Sequence, residues 1–489
     1  MESVELHTVV AGARTRVKFA TVAVNGNNVN FKVDTGVEVT VVSSSFPGVP
    51  KKLRAPEGKP PKFEVVYPNV LETRDLTSDK VLQVKDGLVL QLKKSSILSE
   101  NFVLTDLSGK IPVETRMNGK VLERNLYHDK HKLAVVEVKE KNGNVEVRGI
   151  LSDTLRIVPL HLLVLAQEGP MAHKIFEVEA SAHDGNDHIE SNENKLQERA
   201  DTIRFSPHKE RKVPETFFVE TLVVADQYLY RKFHNDTELI IYLATTMAAV
   251  NIRFANASDP KVGLLIVKIV KDPGTSFHRL FIGSAPGDQK KSLKIFANAP
   301  KTLSQFATKY QSSICDVALL VTGLELAETK GSSVSRLLKG LAYIDGLCQP
   351  MLHFGEVGDI PHTYSMLSAA AHEIGHILGM THDGEIPSYP VPNVTWLRCD
   401  ATLGYLMAPV LGGRNEGFFS NCSLQHMRIL VSQQTDDCYK VQSKTATEAP
   451  SRLPGVGLSM ADLCKILHPG VGGMDGMLIT STSKHIHRK

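Results

Sequence analysis

Residues Ala371-His372-Glu373-Ile374-Gly375-His376-Ile377-Leu378-Gly379-Met380-Thr381-His382-Asp383 decide how the chain is read. With the preceding Ser365 to Ala370 they form a run rich in Ala, Leu and Ile, which predicts a helix ending at Gly379. On that helix His372 and His376 lie on one face, one turn apart, and can share one tetrahedral ion. Glu373 follows the first histidine, so it points beside the ion rather than at it, where a base for an attacking water belongs. Gly379 can adopt the left-handed conformation that stops a helix, and the turn beyond it brings back His382 as a third ligand. Three protein nitrogens leave a fourth position open, which marks a catalytic site rather than a closed structural one. Six fixed positions at ~1/20 each, over a chain of this length, arise by chance with a probability on the order of 10^-5.

The chemistry these residues predict is peptide-bond hydrolysis by a zinc-activated water. Glu373 accepts the proton of the water as it attacks the scissile carbonyl, then passes it to the leaving amine. The histidines must be neutral to bind zinc, so activity is expected to fall at acid pH.

Composition bounds the alternatives. The chain has 489 residues, is 42% hydrophobic and 22% charged, and carries a formal net charge of +3. That length implies about two to four domains. The charge is too small to argue for nucleic acid or a membrane surface, and no apolar run approaches the ~20 residues of a membrane span. The N-terminus, MESVELHTVVAGARTRVKF, has no basic stretch followed by an apolar one, so no signal peptide is visible. Other features look secretory. All six cysteines (Cys315, Cys348, Cys399, Cys422, Cys438 and Cys464) lie in the C-terminal part of the chain, a dense and even set that suggests disulfides. Glycosylation sequons occur at Asn235, Asn256, Asn393 and Asn421.

Five segments are expected. In 1–62, residues 17–42 alternate as strands around a turn at Asn25-Gly26. Residues 63–180 are β-rich, with a hairpin turn at Asn142-Gly143. Residues 181–212 are polar and charged and read as a linker or processing segment, with cleavage expected near Arg211-Lys212 before activity. Residues 213–440 have an α/β (α+β) pattern: buried strands in FFVETLVVAD, VGLLIVKIV and DVALLVTG, and an amphipathic helix in TELIIYLATTMAAVNIRFAN. Residues 441–489 are rich in Ser, Thr, Pro and Gly and read as largely unpacked.

The pattern HExxHxxGxxHD resembles the metzincin signature, and Asp383 after the third histidine resembles the adamalysin/reprolysin branch. That resemblance implies a mixed, mostly parallel sheet with an active-site helix, preceded by a β-rich prodomain. It implies a methionine turn at Gly404-Tyr405-Leu406-Met407-Ala408-Pro409, with Met407 beneath the zinc. Gly340, Leu341 and Ala342, with Tyr343, become the edge strand that pairs with an extended substrate. The cysteine order of the family implies Cys348–Cys438 and Cys399–Cys422 bonds. Some reprolysins also hold calcium, and Glu220 and Asp316 match two of its ligand positions, while Val441 stands where an asparagine ligand is expected.

The chain also resembles the salivary reprolysin-like metalloproteases of ticks, over roughly residues 63–440, with a prodomain likeness in VVYPNVLETR and KVLERNLYHDKHKLAVVEV. It implies secretion and extracellular protein or peptide substrates. Many reprolysin prodomains silence the zinc with a cysteine thiolate, but residues 1–314 contain no cysteine. RLPGVGLSMADLCKILHPG resembles the start of the disintegrin-like, cysteine-rich region of ADAMTS-type proteins. Residues 17–60, with Asp34-Thr35-Gly36, resemble the start of a retrotransposon aspartic protease; paired aspartates need two such loops, and this chain has one.

A zinc endopeptidase made as a zymogen is therefore expected. The alternatives are a reprolysin-like shell that binds without cleaving, which the intact Glu373 argues against, and an aspartic protease, which the short Asp34 segment argues against. An inhibitor panel separates them: 1,10-phenanthroline should abolish peptidase activity and pepstatin should leave it unchanged. The reverse pattern would assign the activity to Asp34.

Overall fold

The run Thr216–Asp226 is buried at every position from Val219 onward, as a central strand covered on both faces must be. In the computed structural model this run lies near the middle of an eight-stranded sheet. The structure describes residues 18–24, 27–33, 63–74, 79–141, 143–160, 170–178, 188–189 and 213–441, apart from 259, 287, 289–291, 331–332, 386–398 and 410–412. The strands of the sheet are β1 (Leu98–Asp106), β2 (Val113–Asn118), β3 (His188–Ile189), β4 (Thr216–Asp226), β5 (Lys261–Asp272), β6 (Val317–Thr322), β7 (Gly340–Tyr343) and β8 (Phe354–Gly358). Their order is β3-β7-β8-β6-β4-β5-β1-β2. β4 runs parallel to β5 and β6, and β6 parallel to β8, while β7 is antiparallel to β8. The sheet is thus mixed and mostly parallel, as expected.

Two hydrophobic layers cover it. Side chains alternate along each buried strand, so Val219, Val223 and Ala225 join one core while Leu222 and Val224 join the other. On the first face pack α1 (Asp236–Arg253), α3 (Leu367–Ile377) and α4 (Asn421–Ser432). On the second lies α2 (Ala299–Tyr310), through Leu303 and Phe306.

α1 departs from expectation. It is not amphipathic: every residue from Leu239 to Val250 is buried. The stretch Asp236–Asn256 is even long and apolar enough to cross a membrane by length and composition, contrary to the sequence reading. Its most apolar window is 83% buried within the fold, as befits a core helix. The face expected to be wet is covered by the strands Ala134–Lys141 and Asn144–Ile150, from the N-terminal β-rich region. These two strands form the expected hairpin, Lys141 paired with Asn144 and Gly143 at φ +79°. The expected hairpin around Asn25-Gly26 also forms, pairing Lys18–Val24 with Asn27–Val33. Asp34 and residues 442–489, including Cys464, lie outside the described residues.

The link between β8 and α3 sets where the site helix begins. Met366 at its N-cap makes no side-chain cap. Buried Asp359 takes that role from a distance, accepting from Met366 N at 3.1 Å and Ser365 Oγ at 2.9 Å. Tyr242 of α1 donates to Asp359 Oδ2 at 2.6 Å and accepts from Tyr364 N at 2.8 Å. Burial pushes the Asp359 carboxyl up to about 6, against these hydrogen bonds. Tyr242→Phe strands a buried N–H and a carboxylate oxygen. It should lower unfolding free energy by about 1–3 kcal/mol, read from urea denaturation, while zinc content stays the same.

Candidate active site and metal centre

α3 carries His372 and His376 on its buried face, and their rings meet edge to face with centroids 4.6 Å apart. The helix stops after Ile377, Gly379 takes φ +91°, and the chain turns back so that His382 faces the first two. One nitrogen from each ring lies within 4.8 Å of the others, and His372 Nε2 and His382 Nε2 are 3.2 Å apart. Two ligands of one tetrahedral ion with ~2.05 Å bonds sit about 3.3 Å apart.

The second nitrogens test whether a cation fits. His372 Nδ1 lies 2.7 Å from Leu406 O, His376 Nδ1 2.8 Å from Met380 O, and His382 Nδ1 3.4 Å from Glu385 Oε1. Carbonyls and carboxylates only accept, so each Nδ1 carries the hydrogen and each Nε2 presents a lone pair inward. Lone pairs turned on one another at such separations suit a cation between them. The donor set fits zinc.

Glu373 is wholly buried beside this cluster. It abuts the edge strand: a Cβ on Gly340 would lie 2.4 Å from Glu373 Oε1 and 2.5 Å from its Cγ. Gly340, Leu341 and Ala342 lie in β7, paired antiparallel with β8. Their other side is partly taken, because His188–Ile189 of β3 pairs in parallel with Ala342 and Tyr343.

Beneath the helix, Met407 is fully buried, and Gly375 lets it approach: a Cβ there would meet Met407 Sδ at 2.9 Å and Met380 Sδ at 3.3 Å. Asp383 N donates to Met407 O at 2.9 Å, tying the third-histidine turn to the methionine turn. Asp383 Oδ1 accepts from Ser420 Oγ at 2.6 Å and Ser423 Oγ at 3.3 Å, at the start of α4. Burial raises the Asp383 carboxyl despite these two bonds. Ser420, Ser423 and Glu385 were not singled out from sequence. Ser420 carried one signal, a serine just ahead of a helix, where it caps Ser423 N at 3.1 Å.

The Cys348–Cys438 and Cys399–Cys422 bonds form as the resemblance implied. Cys315 is a free thiol, and burial with Asp316 alongside pushes its pKa far up. Asn235, Asn256 and Asn421 are exposed, whereas Asn393 lies outside the described residues. Glu220 and Asp316 do meet, but through the backbone: Asp316 Oδ2 accepts from Glu220 N and Asp316 N donates to Glu220 O, both at 2.8 Å. Burial, with Glu220 alongside, lifts the Asp316 carboxyl to about 7.

Three convergent imidazoles, a glutamate beside them and a methionine turn beneath define a zinc peptidase of the metzincin class. Comparison with known proteins agrees. The profile Reprolysin_5, metallo-peptidase family M12, matches residues 216–420. The antarease-like venom metalloproteinase of Tityus trivittatus is 24% identical over 396 residues, covering 77% of this chain and 93% of that protein. The mouse (Mus musculus) disintegrin and metalloproteinase with thrombospondin motifs 16 is 28% identical over 262 residues, covering 51% of this chain and 19% of that protein. Residues 216–420 match metallopeptidase family M12, and with the venom relative this supports a zinc metalloendopeptidase of the reprolysin type.

The contact between Gly340 and Glu373 yields a test. Gly340→Ala must push the carboxylate away, and a displacement of ~1 Å costs on the order of 10^2-fold in turnover. kcat should fall by that factor with zinc stoichiometry unchanged, as read by peptide hydrolysis and metal analysis of one preparation.

Proposed function

We propose that His372, His376 and His382 hold the catalytic zinc through Nε2, and that Glu373 is the general base for cleaving peptide bonds of extracellular proteins. The observation that carries this reading is the contact of the Glu373 carboxylate with Gly340, the first residue of β7. A peptide laid along Gly340, Leu341 and Ala342 would bring its backbone past the base. When bound, zinc supplies a Lewis acid for the scissile carbonyl and for the attacking water. Glu373 takes the proton from that water and delivers it to the leaving amine. Leu406 O and Met380 O hold the imidazoles in the tautomer the metal needs. Met407 fills the floor beneath Gly375.

Residues 63–180 then serve as the prodomain, 181–212 as the processing linker and 213–440 as the catalytic module. Without a cysteine to occupy the metal, latency falls to the linker: His188–Ile189 lies on the strand a substrate would use, and a peptide must displace it. The paired cysteines and the exposed sequons support secretion. Glu220 and Asp316 supply two of the six to eight oxygens calcium takes, so calcium is left out of this reading.

Glu373→Gln should lower hydrolysis of a general protein substrate by on the order of 10^3-fold while one zinc per chain is retained. Cleavage at the wild-type rate by that variant would sink the assignment.

A further inference from the structure

The mature module of residues 213–440 does not close its own sheet or its own core. β5 spans twelve residues, Lys261–Asp272, and its outer edge is filled by β1, which lies far upstream of the linker. The pairing is parallel, Ile266 with Leu98 and Lys268 to Lys271 with Val103 to Asp106. Ile266 N donates to Ile97 O at 2.7 Å, and Leu107 N to Lys271 O at 2.9 Å. Ion pairs flank the ladder, Lys271 with Asp106 and Lys268 with Glu114, each at 2.6 Å. Leu98, Phe102 and Leu104 enter the same core as Phe217, Val219 and Ile266.

A second set of contacts reaches the other side of the module. The strands that cover α1 come from the N-terminal region, and Asp153 beside them pairs with Arg253, whose side chain is fully buried. Arg156, 2% exposed, donates to Thr363 O at 3.0 Å and Tyr364 O at 3.3 Å, in the link that leads into α3. Removing the N-terminal region would bare a long unpaired strand edge and the covered side of α1, and would take from Glu238 and Arg253 their partners Arg148 and Asp153.

We propose that residues 63–178 are a permanent partner of the catalytic module: scission in the linker nicks the chain without releasing them, and the processed protein is a two-chain complex. The two chains are held by strand addition, shared core and ion pairs alone, since every cysteine lies C-terminal to the linker. Linker cleavage then has a local effect, freeing β3 from β7, and leaves β1 in place on β5. The β1–β5 ladder and the Asp153–Arg253 pair do not depend on the zinc assignment, so the proposal stands or falls separately from it.

The test uses the full chain with a site-specific protease sequence inserted within residues 190–212. After cleavage a denaturing gel without reductant should show two fragments, while native gel filtration should show one peak containing both. Release of the N-terminal fragment in native buffer overturns the proposal, whether its partner stays soluble or precipitates. Asp153→Arg, which sets two cations against each other at Arg253, is nicked in parallel. Its N-terminal fragment should leave the complex in native buffer or at lower urea than the parent's, and an unchanged release midpoint overturns the role given to that pair.

Discussion

The site depends on two hydrogen bonds made by atoms that touch no substrate: His372 Nδ1 to Leu406 O and His376 Nδ1 to Met380 O. A neutral imidazole has one donor and one acceptor, so fixing the donor at Nδ1 decides that Nε2 faces the ion. Both carbonyls belong to segments placed by the third-histidine turn. Met380 follows Gly379 directly, and Leu406 precedes the methionine whose carbonyl receives Asp383 N. Turn, methionine floor and tautomer thus form one coupled unit. Displacing Gly379 or Gly375 would change ligand orientation before any ligand is altered, since a Cβ at either meets Leu430 or Met407 within 3 Å.

That unit is anchored in a core the catalytic residues only partly supply. α1 packs against α3, and the N-terminal strands close over the outer side of α1. The position of the histidines therefore reflects packing across a boundary that a domain diagram would draw at the linker. Asp359 and Arg156 act in the same place. One caps the start of α3 through Met366 N, and the other holds the carbonyls of Thr363 and Tyr364 from the N-terminal side.

How much of this the sequence revealed follows from the range of each signal. The zinc ligands, Glu373 and the glycine stop are encoded within a dozen residues, where helical period and turn chemistry act locally. The hairpins at Asn25-Gly26 and Asn142-Gly143 are local too. The edge strand, the methionine turn and both disulfides came from resemblance and not from spacing. What stayed hidden depends on contacts distant in sequence. Gly340 looks like any strand glycine until Glu373 is placed beside it, and Ser420 looks like a cap until Asp383 arrives. The wet face predicted for α1 failed because periodicity describes a helix against one layer, whereas this one lies between two. β1 carried a strand signal but nothing to say which sheet it would join, because strand partners are chosen by long-range pairing.

The two ends of the catalytic sheet show opposite uses of an open edge. An unpaired strand is a site for any extended chain, so a fold must cover it or reserve it. β7 is four residues long and is covered over only two of them, by His188–Ile189 in parallel. β5 is three times as long and is covered by a nine-residue strand with its own hairpin partner, sealed by Phe102 and Leu104 beneath and by lysine–carboxylate pairs above. A two-residue pairing adds little to the stability of the sheet and can be exchanged for a peptide. A ladder that shares its core with the sheet cannot leave without unfolding part of it. On the proposed reading, a peptide is received at β7 because the cover there is short, while the long edge of β5 is closed.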